Sequence, residues 1–485
     1  MSVGARRILR NVGYRTAADL GGKLASFVLY VAMARKLGAS DFGVFTFSFT
    51  FITLVTMPAT FGQDSLLSRE VARDHSKAQT YFTNMVGLKL SLAVPALGLA
   101  VAGLAAISGR ETVVVSLLLG LANIAQLLMN TCFGIFQAFE RLGPTAAVVI
   151  GQRLLTAAAA LALLAMGAGV VAVSAVFLAT TAFALVVAVG LMSRKITHPS
   201  LRIDLKTWRP LMRAAIPIGV ASVASLVLFR IDTVMLAAFK PESVVGNYGA
   251  AYRLLETTLF TTWAVGAAVF PVFSRLSRSS DPPVTLVFER SVKLGTAAAL
   301  PLGVGAAIFA PSVIGLLYGH QYASAADALR LLAPAIALYP VTYLAGDLLI
   351  AQRRQTPLTL TYIAVAIENV LLNLLLIPRW SLNGAAFGTS FSQLLVLVPL
   401  IYVCQRDFGR IDWVRVLAGP AIASAVAVGL MALLRETFGV ALAAGSIAYI
   451  CLLLLFERLV FPEDARVLSG WSGRLNVSEA PLPPD

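Results

Sequence analysis

Apolar residues run in blocks of about 20 along nearly the whole chain, separated by short polar breaks, and that is the length a helix needs to cross a bilayer. Cutting at the breaks predicts fourteen helical spans, near residues 14–35, 42–62, 83–107, 112–138, 144–167, 170–192, 211–238, 247–274, 292–317, 328–351, 357–378, 383–404, 413–434 and 438–460. No stretch alternates apolar and polar over the ~10 residues a barrel strand needs, so the other way of spanning a membrane is excluded. The expected fold class is all-α, a polytopic integral membrane protein.

Parts of this pattern recur. Ala34-Arg-Lys-Leu-Gly-Ala-Ser-Asp41-Phe-Gly43-Val-Phe45 has the layout of Ala237-Ala-Phe-Lys240-Pro-Glu242-Ser-Val-Val-Gly246-Asn-Tyr248: an apolar helix, a short polar turn, an acid, then a Gly-x-aromatic restart, with Gly43 and Gly246 offset by 203 residues. Ala138, Arg141 and Pro144 align with Ala351, Arg354 and Pro357 at an offset of 213. Six spans separate equivalent elements, so the halves keep one orientation and form parallel repeats about an axis along the membrane normal. The expected organisation is a six-helix lobe at 1–192, a basic linker at 193–210, a second six-helix lobe at 211–404, two additional transmembrane helices at 413–460 and a tail at 461–485 that the composition reads as disordered.

Composition agrees: 58% of the 485 residues are hydrophobic and 13% are charged. The net charge of +14 would suggest nucleic acid, but the basic residues sort by loop. With the N-terminus inside, cytoplasmic loops collect about 26 Lys and Arg and the opposite loops about 6, which accounts for the charge and puts both termini in the cytoplasm. Arg6, Arg7 and Arg10 before an apolar run imitate a signal peptide, but Asp19 and Lys23 interrupt that run. Cys132, Cys404 and Cys451 lie in apolar segments and form no Cys-x-x-Cys pair, and His75, His198 and His320 are far apart, so no metal site or cofactor is expected. Gly21-Gly22-Lys23-Leu24 lacks the glycine and hydroxyl residue of a nucleotide loop, and no catalytic constellation emerges.

The informative residues are polar groups inside spans, where burial without a partner is costly. Asp19 and Lys23, and Arg253 and Glu256, are spaced to neutralise each other along one helix face. Arg230 and Asp232 stand two apart, point to roughly opposite sides and need partners elsewhere or an aqueous cavity. Arg153, beside Gln152, has no acid within four positions. Lys89 lies nearer a cytoplasmic end and reads as an anchor whose stem reaches the interface. Asn123, Gln126 and Asn130 share a face of the fourth span, and Glu368, Asn369 and Asn373 cluster on the eleventh, where amides serve as interhelical bonds or as cavity lining. The repeat-equivalent positions of Arg230, Arg253 and Glu256 are Phe27, Thr50 and Thr53, and that of Arg153 is Ala366. Scaffold repeats and charge does not, which suggests one asymmetric ligand between the halves.

At these residues the chain resembles the polysaccharide flippases of the multidrug/oligosaccharidyl-lipid/polysaccharide exporter superfamily. The likeness rests on the two turn motifs, on Leu317-Tyr-Gly-His-Gln-Tyr322, on Leu349-Ile-Ala-Gln-Arg-Arg354, and on Asn369-Val-Leu-Leu-Asn373-Leu-Leu-Leu-Ile-Pro378 followed by Asn383-Gly-Ala-Ala386. Trp380-Ser-Leu stands where the family has a Tyr-Gly-Ile-like turn. The resemblance implies two lobes in a V around a cationic cavity and alternating access for a glycan on a polyprenyl phosphate or pyrophosphate. It also implies a cytoplasmic-membrane location, with a polysaccharide polymerase or glycosyltransferases as partners. Arg153, Arg230 and Arg253, assisted by Lys23, are then the expected headgroup ligands, because fixed guanidiniums replace lost hydration with charge-assisted bonds. Asn123, Gln126, Asn130, Asn369 and Asn373 would line the sugar path, and Asp19, Asp232, Glu256 and Glu368 would couple an ion gradient. The rivals are a multidrug or cation antiporter of the same superfamily and a peptidoglycan-precursor flippase.

Overall fold

The structure, a computed structural model, describes residues 3–60, 62–200, 202–276, 283–434 and 438–461; for 3–20, 214–218, 221 and 438 only the backbone is described. The side chain of Asp19 and the tail beyond Phe461 therefore lie outside the described residues.

Every regular element among the described residues is helical. In chain order the helices are α1 (Val3–Val55), α2 (Gln63–Arg73), α3 (Ala78–Ile107), α4 (Arg110–Ala138), α5 (Leu142–Ala165), α6 (Val170–Lys195), α7 (Leu205–Phe239), α8 (Glu242–Arg275), α9 (Val284–Tyr318), α10 (Ala323–Ala351), α11 (Gln355–Phe408), α12 (Trp413–Leu433) and α13 (Phe438–Val460). Twelve are long and apolar enough to cross a membrane, all but the short α2. Two of the twelve, α1 and α11, are pairs of helices joined at a kink, which yields the fourteen passes that the hydropathy pattern predicts. Many side chains on their outer faces are large and apolar, among them Leu99, Ile107, Met166, Leu433 and Leu459, as a lipid solvent requires.

Both kinks have a local cause. Gly38 takes φ 83°, which costs a glycine little. Ser381, in the Trp380-Ser-Leu turn, takes φ 55° and ψ −135°, a region a side chain disfavours by about 1–3 kcal/mol. A glycine would take this conformation at little cost.

The helices divide into two compact units, residues 1–257, 309–335 and 354–399, and residues 258–308, 336–353 and 400–485. In the first, α1 packs along α5 and α4, and α4 along α6 and α3. Its core is made of Leu67, Phe82, Met85, Met129, Phe136 and Met192, with a second cluster around Ile52, Leu97 and Leu127. The linker continues into α7 from Leu205, six residues before the expected span, because Asp204 caps it by accepting from Lys206 N at 3.0 Å. The strand of chain before it is strapped to α3: Asn84 Oδ1 accepts from Asp204 N at 2.9 Å and from Trp208 Nε1 at 3.2 Å. In the second unit α12 and α13 form a hairpin around Ala423, Ala427 and Tyr449. Tyr449 Oη donates to Ala297 O of α9 at 2.6 Å, and a buried Lys293–Glu457 ion pair, also 2.6 Å, ties α13 to α9.

One contact in the first unit relates the two repeats directly. A Cβ on Gly43 would collide with the carbonyl of Glu242, and a Cβ on Gly246 with the carbonyl of Ala39. These pairs exchange under the 203-residue offset, so the two turns meet reciprocally, backbone on backbone, as a two-fold contact between parallel repeats would. Ser40 Oγ donates to Glu242 at 3.3 Å beside it, and Arg35 donates to the carbonyls of Leu316 and Leu317.

Candidate functional site

The charged residues of the two in-span helices α7 and α8 converge. Arg230 of α7 and Arg253 of α8 each bond Glu256 at 2.6 Å, one to each carboxylate oxygen. Two guanidiniums on one carboxylate leave an excess positive charge. The Arg253 guanidinium also lies over the ring of Tyr30 on α1, 3.6 Å from its centroid, a favourable placement for a cation. A small pocket opens here between the second arm of α1, with Phe45, Thr46, Phe49 and Thr50, and the α7–α8 pair, with Arg230, Thr233, Gly249, Tyr252, Arg253 and Glu256. Thr50, the repeat equivalent of Arg253, thus lines the same pocket, which carries charge from one half only.

Asp232 points away from Arg230, as two positions on a helix require. It is fully buried, and its carboxylate accepts from the hydroxyl of Tyr248, from Thr389 Oγ1 at 3.0 Å and from Thr233 N at 2.7 Å. Tyr248 is the repeat partner of Phe45, so the hydroxyl that separates them is the donor to Asp232.

Arg153 of α5 sits against α1. Its Cδ lies where a Cβ on Gly22 would come within 2.8 Å, and its Nη1 is buried with no hydrogen-bond partner among the described residues. Gly22 is therefore a notch inside a helix that admits an arginine. Gly22 and Tyr30 are eight residues apart, about 12 Å along α1. That spacing puts Arg153 and the neighbouring Lys23 at one level of the helix, and Arg253 with Arg230 at another.

The amides divide by environment. Gln126 donates to Asn130 at 2.9 Å, Gln152 of α5 bonds Gln126 at 3.3 Å and Thr181 of α6 at 2.9 Å, and Asn123 reaches Thr53 of α1 at 3.4 Å. This half-buried network joins four helices. Asn369 and Asn373 are fully buried between the arms of α11, where Asn373 donates to Asn369 at 3.0 Å, Asn369 donates to Ser392 at 2.9 Å, and Ser392 donates to Glu368 at 3.0 Å.

One expectation is overturned. Lys89 does not reach an interface: it is 1% exposed and donates to Asp64 at 2.6 Å, Thr131 Oγ1 at 2.9 Å and Leu127 O at 3.1 Å. Asp64 comes from the first turn of the short amphipathic α2, which folds back against α4. Hydropathy alone left that helix in a polar loop.

Comparison with known proteins agrees with this fold. A probable low-salt glycan biosynthesis flippase of Haloferax volcanii, Agl15, is 23% identical over 454 residues, 91% of this chain and 94% of the relative. Among solved structures, the lipid II flippase MurJ in an inward closed conformation superposes with a TM-score of 0.78 at 12% identity, covering 92% of this chain and 99% of that one. An inward-facing multidrug transporter of the MATE family superposes with a TM-score of 0.64 at 16% identity, over 79% of this chain and 94% of that one. The family described as polysaccharide biosynthesis protein matches residues 8–277, more than half the length and the whole stretch that carries the charged site. The chain belongs to the polysaccharide biosynthesis protein family.

Proposed function

We propose that the chain is a flippase that carries a lipid-linked oligosaccharide, joined through phosphate or pyrophosphate, across the cytoplasmic membrane by alternating access, and that it performs no covalent chemistry. The observation that carries this is the excess of fixed cations at in-span positions: Arg230 and Arg253 share one acid, and Arg153 keeps a buried Nη1 without a partner among the described residues. An anionic headgroup loses water on entering the bilayer, and guanidinium groups replace that water with directed bonds. A site for cationic drugs would gain nothing from these residues. Membership of a polysaccharide biosynthesis family and the glycan flippase relative support an oligosaccharide as the cargo.

In this reading Arg153 and Lys23 receive the headgroup at one level and Arg253 and Arg230 hold it at the other. Binding between helices of both sequence halves, 1–192 and 211–404, biases the equilibrium between access states. The amides Asn123, Gln126, Asn130, Asn369 and Asn373 belong to the sugar path and its walls. Of the four acids expected to couple an ion, Glu256 has both oxygens bonded to arginines and serves the headgroup site instead, which leaves Asp232 and Glu368, with Asp19, for the coupling ion. The Gly43–Gly246 contact holds the non-cytoplasmic side closed, since backbones that touch leave no passage. The partners are a polyprenyl-phosphate glycan, the enzymes that assemble it and a polymerase that consumes it.

The test is surface glycan in cells whose own flippase is deleted, with membrane levels of each variant measured alongside. Arg153→Ala and Arg253→Ala are expected to abolish surface glycan at normal protein level, and Arg153→Lys to restore it in part, because the planar fork is gone. Full activity of the double variant Arg153→Ala, Arg230→Ala would assign the headgroup to other residues. A peptidoglycan-precursor flippase differs in cargo only; rescue of a strain lacking that flippase, without rescue of surface glycan, would select it.

A further inference from the structure

The second unit contains a carboxyl group that the proposed transport site does not use. Within the spans Glu457 is held by Lys293, and Glu256 by two arginines. Asp347 of α10, four residues before the helix ends, has no hydrogen-bond or ion-pair partner among the described residues. It is half-buried, and its Oδ2 rests in a notch on α8: a Cβ on Gly266 would stand 2.6 Å from that oxygen and 2.6 Å from Cε1 of Tyr343. Tyr343 stacks on Tyr339, with ring centroids 5.6 Å apart, and Tyr339 Oη accepts from Trp263 Nε1 of α8 at 2.9 Å. One turn before Gly266, on the same face of α8, Thr262 is 1% exposed and its hydroxyl has no partner among the described residues.

The charges nearby do not answer it. On α8 the described cation of this unit is Arg275, nine residues beyond Gly266 and about 14 Å along the helix. On α9, whose Gly295 packs against Pro340 of α10, Lys293 is bonded to Glu457 and Glu289 accepts from Asp412 N; neither these, Arg290, nor Arg353 after α10 forms an ion pair with Asp347. A metal ion would require several oxygen ligands. A glycine Cα and a ring edge supply none, and the described residues hold no group of three or more His, Cys, Asp or Glu that could bind one. A proton needs one oxygen, and the neutral acid is the form that an apolar span tolerates without a counter-charge.

We propose that Asp347 is a proton-binding site, loaded as the neutral acid in its Gly266 notch and unloaded when its surroundings hydrate, through which a proton gradient acts on the cycle. The use of the proton in transport rests on the flippase reading; the proton site itself does not.

Dicyclohexylcarbodiimide, an apolar reagent that adds to protonated carboxyl groups, tests it on the purified full chain, with peptide mass spectrometry from mildly acidic to mildly alkaline buffer. The expected result is an adduct on Asp347 that declines as pH rises, is absent in Asp347→Asn and is weakened in Gly266→Ala, which pushes the carboxyl out of its notch. Absence of an adduct on Asp347 throughout that range, in protein that remains monodisperse, would overturn the site. In cells, Asp347→Asn is expected to weaken the response of surface glycan to collapse of the pH gradient; an unchanged response would overturn the coupling. Neither result depends on Arg153 and Arg253, whose variants test the flippase reading separately.

Discussion

Lys89 shows at the scale of one residue how a membrane chain handles a buried charge. Its ammonium is matched by Asp64 and two oxygen acceptors, and removing it would leave Asp64 uncompensated. Lys89→Met is therefore expected to destabilise by about 1–3 kcal/mol, since Asp64 is part-exposed, and the pair Lys89→Met, Asp64→Leu to recover part of the loss. Thermal unfolding in detergent checks both. Ser381 offers the opposite sign: Ser381→Gly is expected to stabilise by about 1 kcal/mol or more through relief of the φ 55° backbone, read as a higher melting temperature with surface glycan unchanged. At Arg230 and Arg253 the sequence shows the charge and the facing of each side chain. It does not show that Glu256 serves both, since Arg230 is 26 positions from Glu256 and its choice of partner depends on how α7 meets α8.

The helices were legible as elements because a bilayer-length apolar run needs no tertiary information to declare itself. What hydropathy missed was α2, eleven residues of which four are buried and the rest are half-buried or exposed. Its pattern is amphipathic, with Leu66, Leu67 and Val71 buried, and the periodicity of those residues is the signal that would have found it. The two repeat turns, read as motifs, acquire a physical role in the structure. Gly43→Val and Gly246→Val would each force a side chain into a backbone carbonyl, and both are expected to lower thermal stability and abolish surface glycan. Gly98→Val and Gly103→Val, at positions where an added Cβ meets nothing within 4 Å, are the controls expected to leave surface glycan intact.

For the molecule as a whole, an even number of passes and the concentration of Lys and Arg in alternate loops lead to the expectation that both ends lie in the cytoplasm. Reporter fusions after Gly109, Lys240 and His320 are expected to report the outside, and fusions after Lys77 and Arg202 the inside; consistent reversal would refute the orientation and move the Gly43–Gly246 closure to the other face. The division of the chain is where packing departs from sequence. The repeat offset splits it near residue 200, whereas the compact units separate α8 at Thr257, α9 after Ile308 and α10 after Ala335, so single helices contribute to both. Sequence alone determined the all-helical membrane fold, the number of passes, the internal repeat and the positions of in-span charges, since each follows from the solvent that a segment must face. Tertiary structure alone decided the partners: which acid Arg230 bonds, which hydroxyls hold Asp232, that Gly22 admits Arg153, and that Asp347 has no counter-charge among the described residues. Partner choice depends on distances of a few ångströms between helices far apart in the chain, and periodicity along one helix carries no record of them.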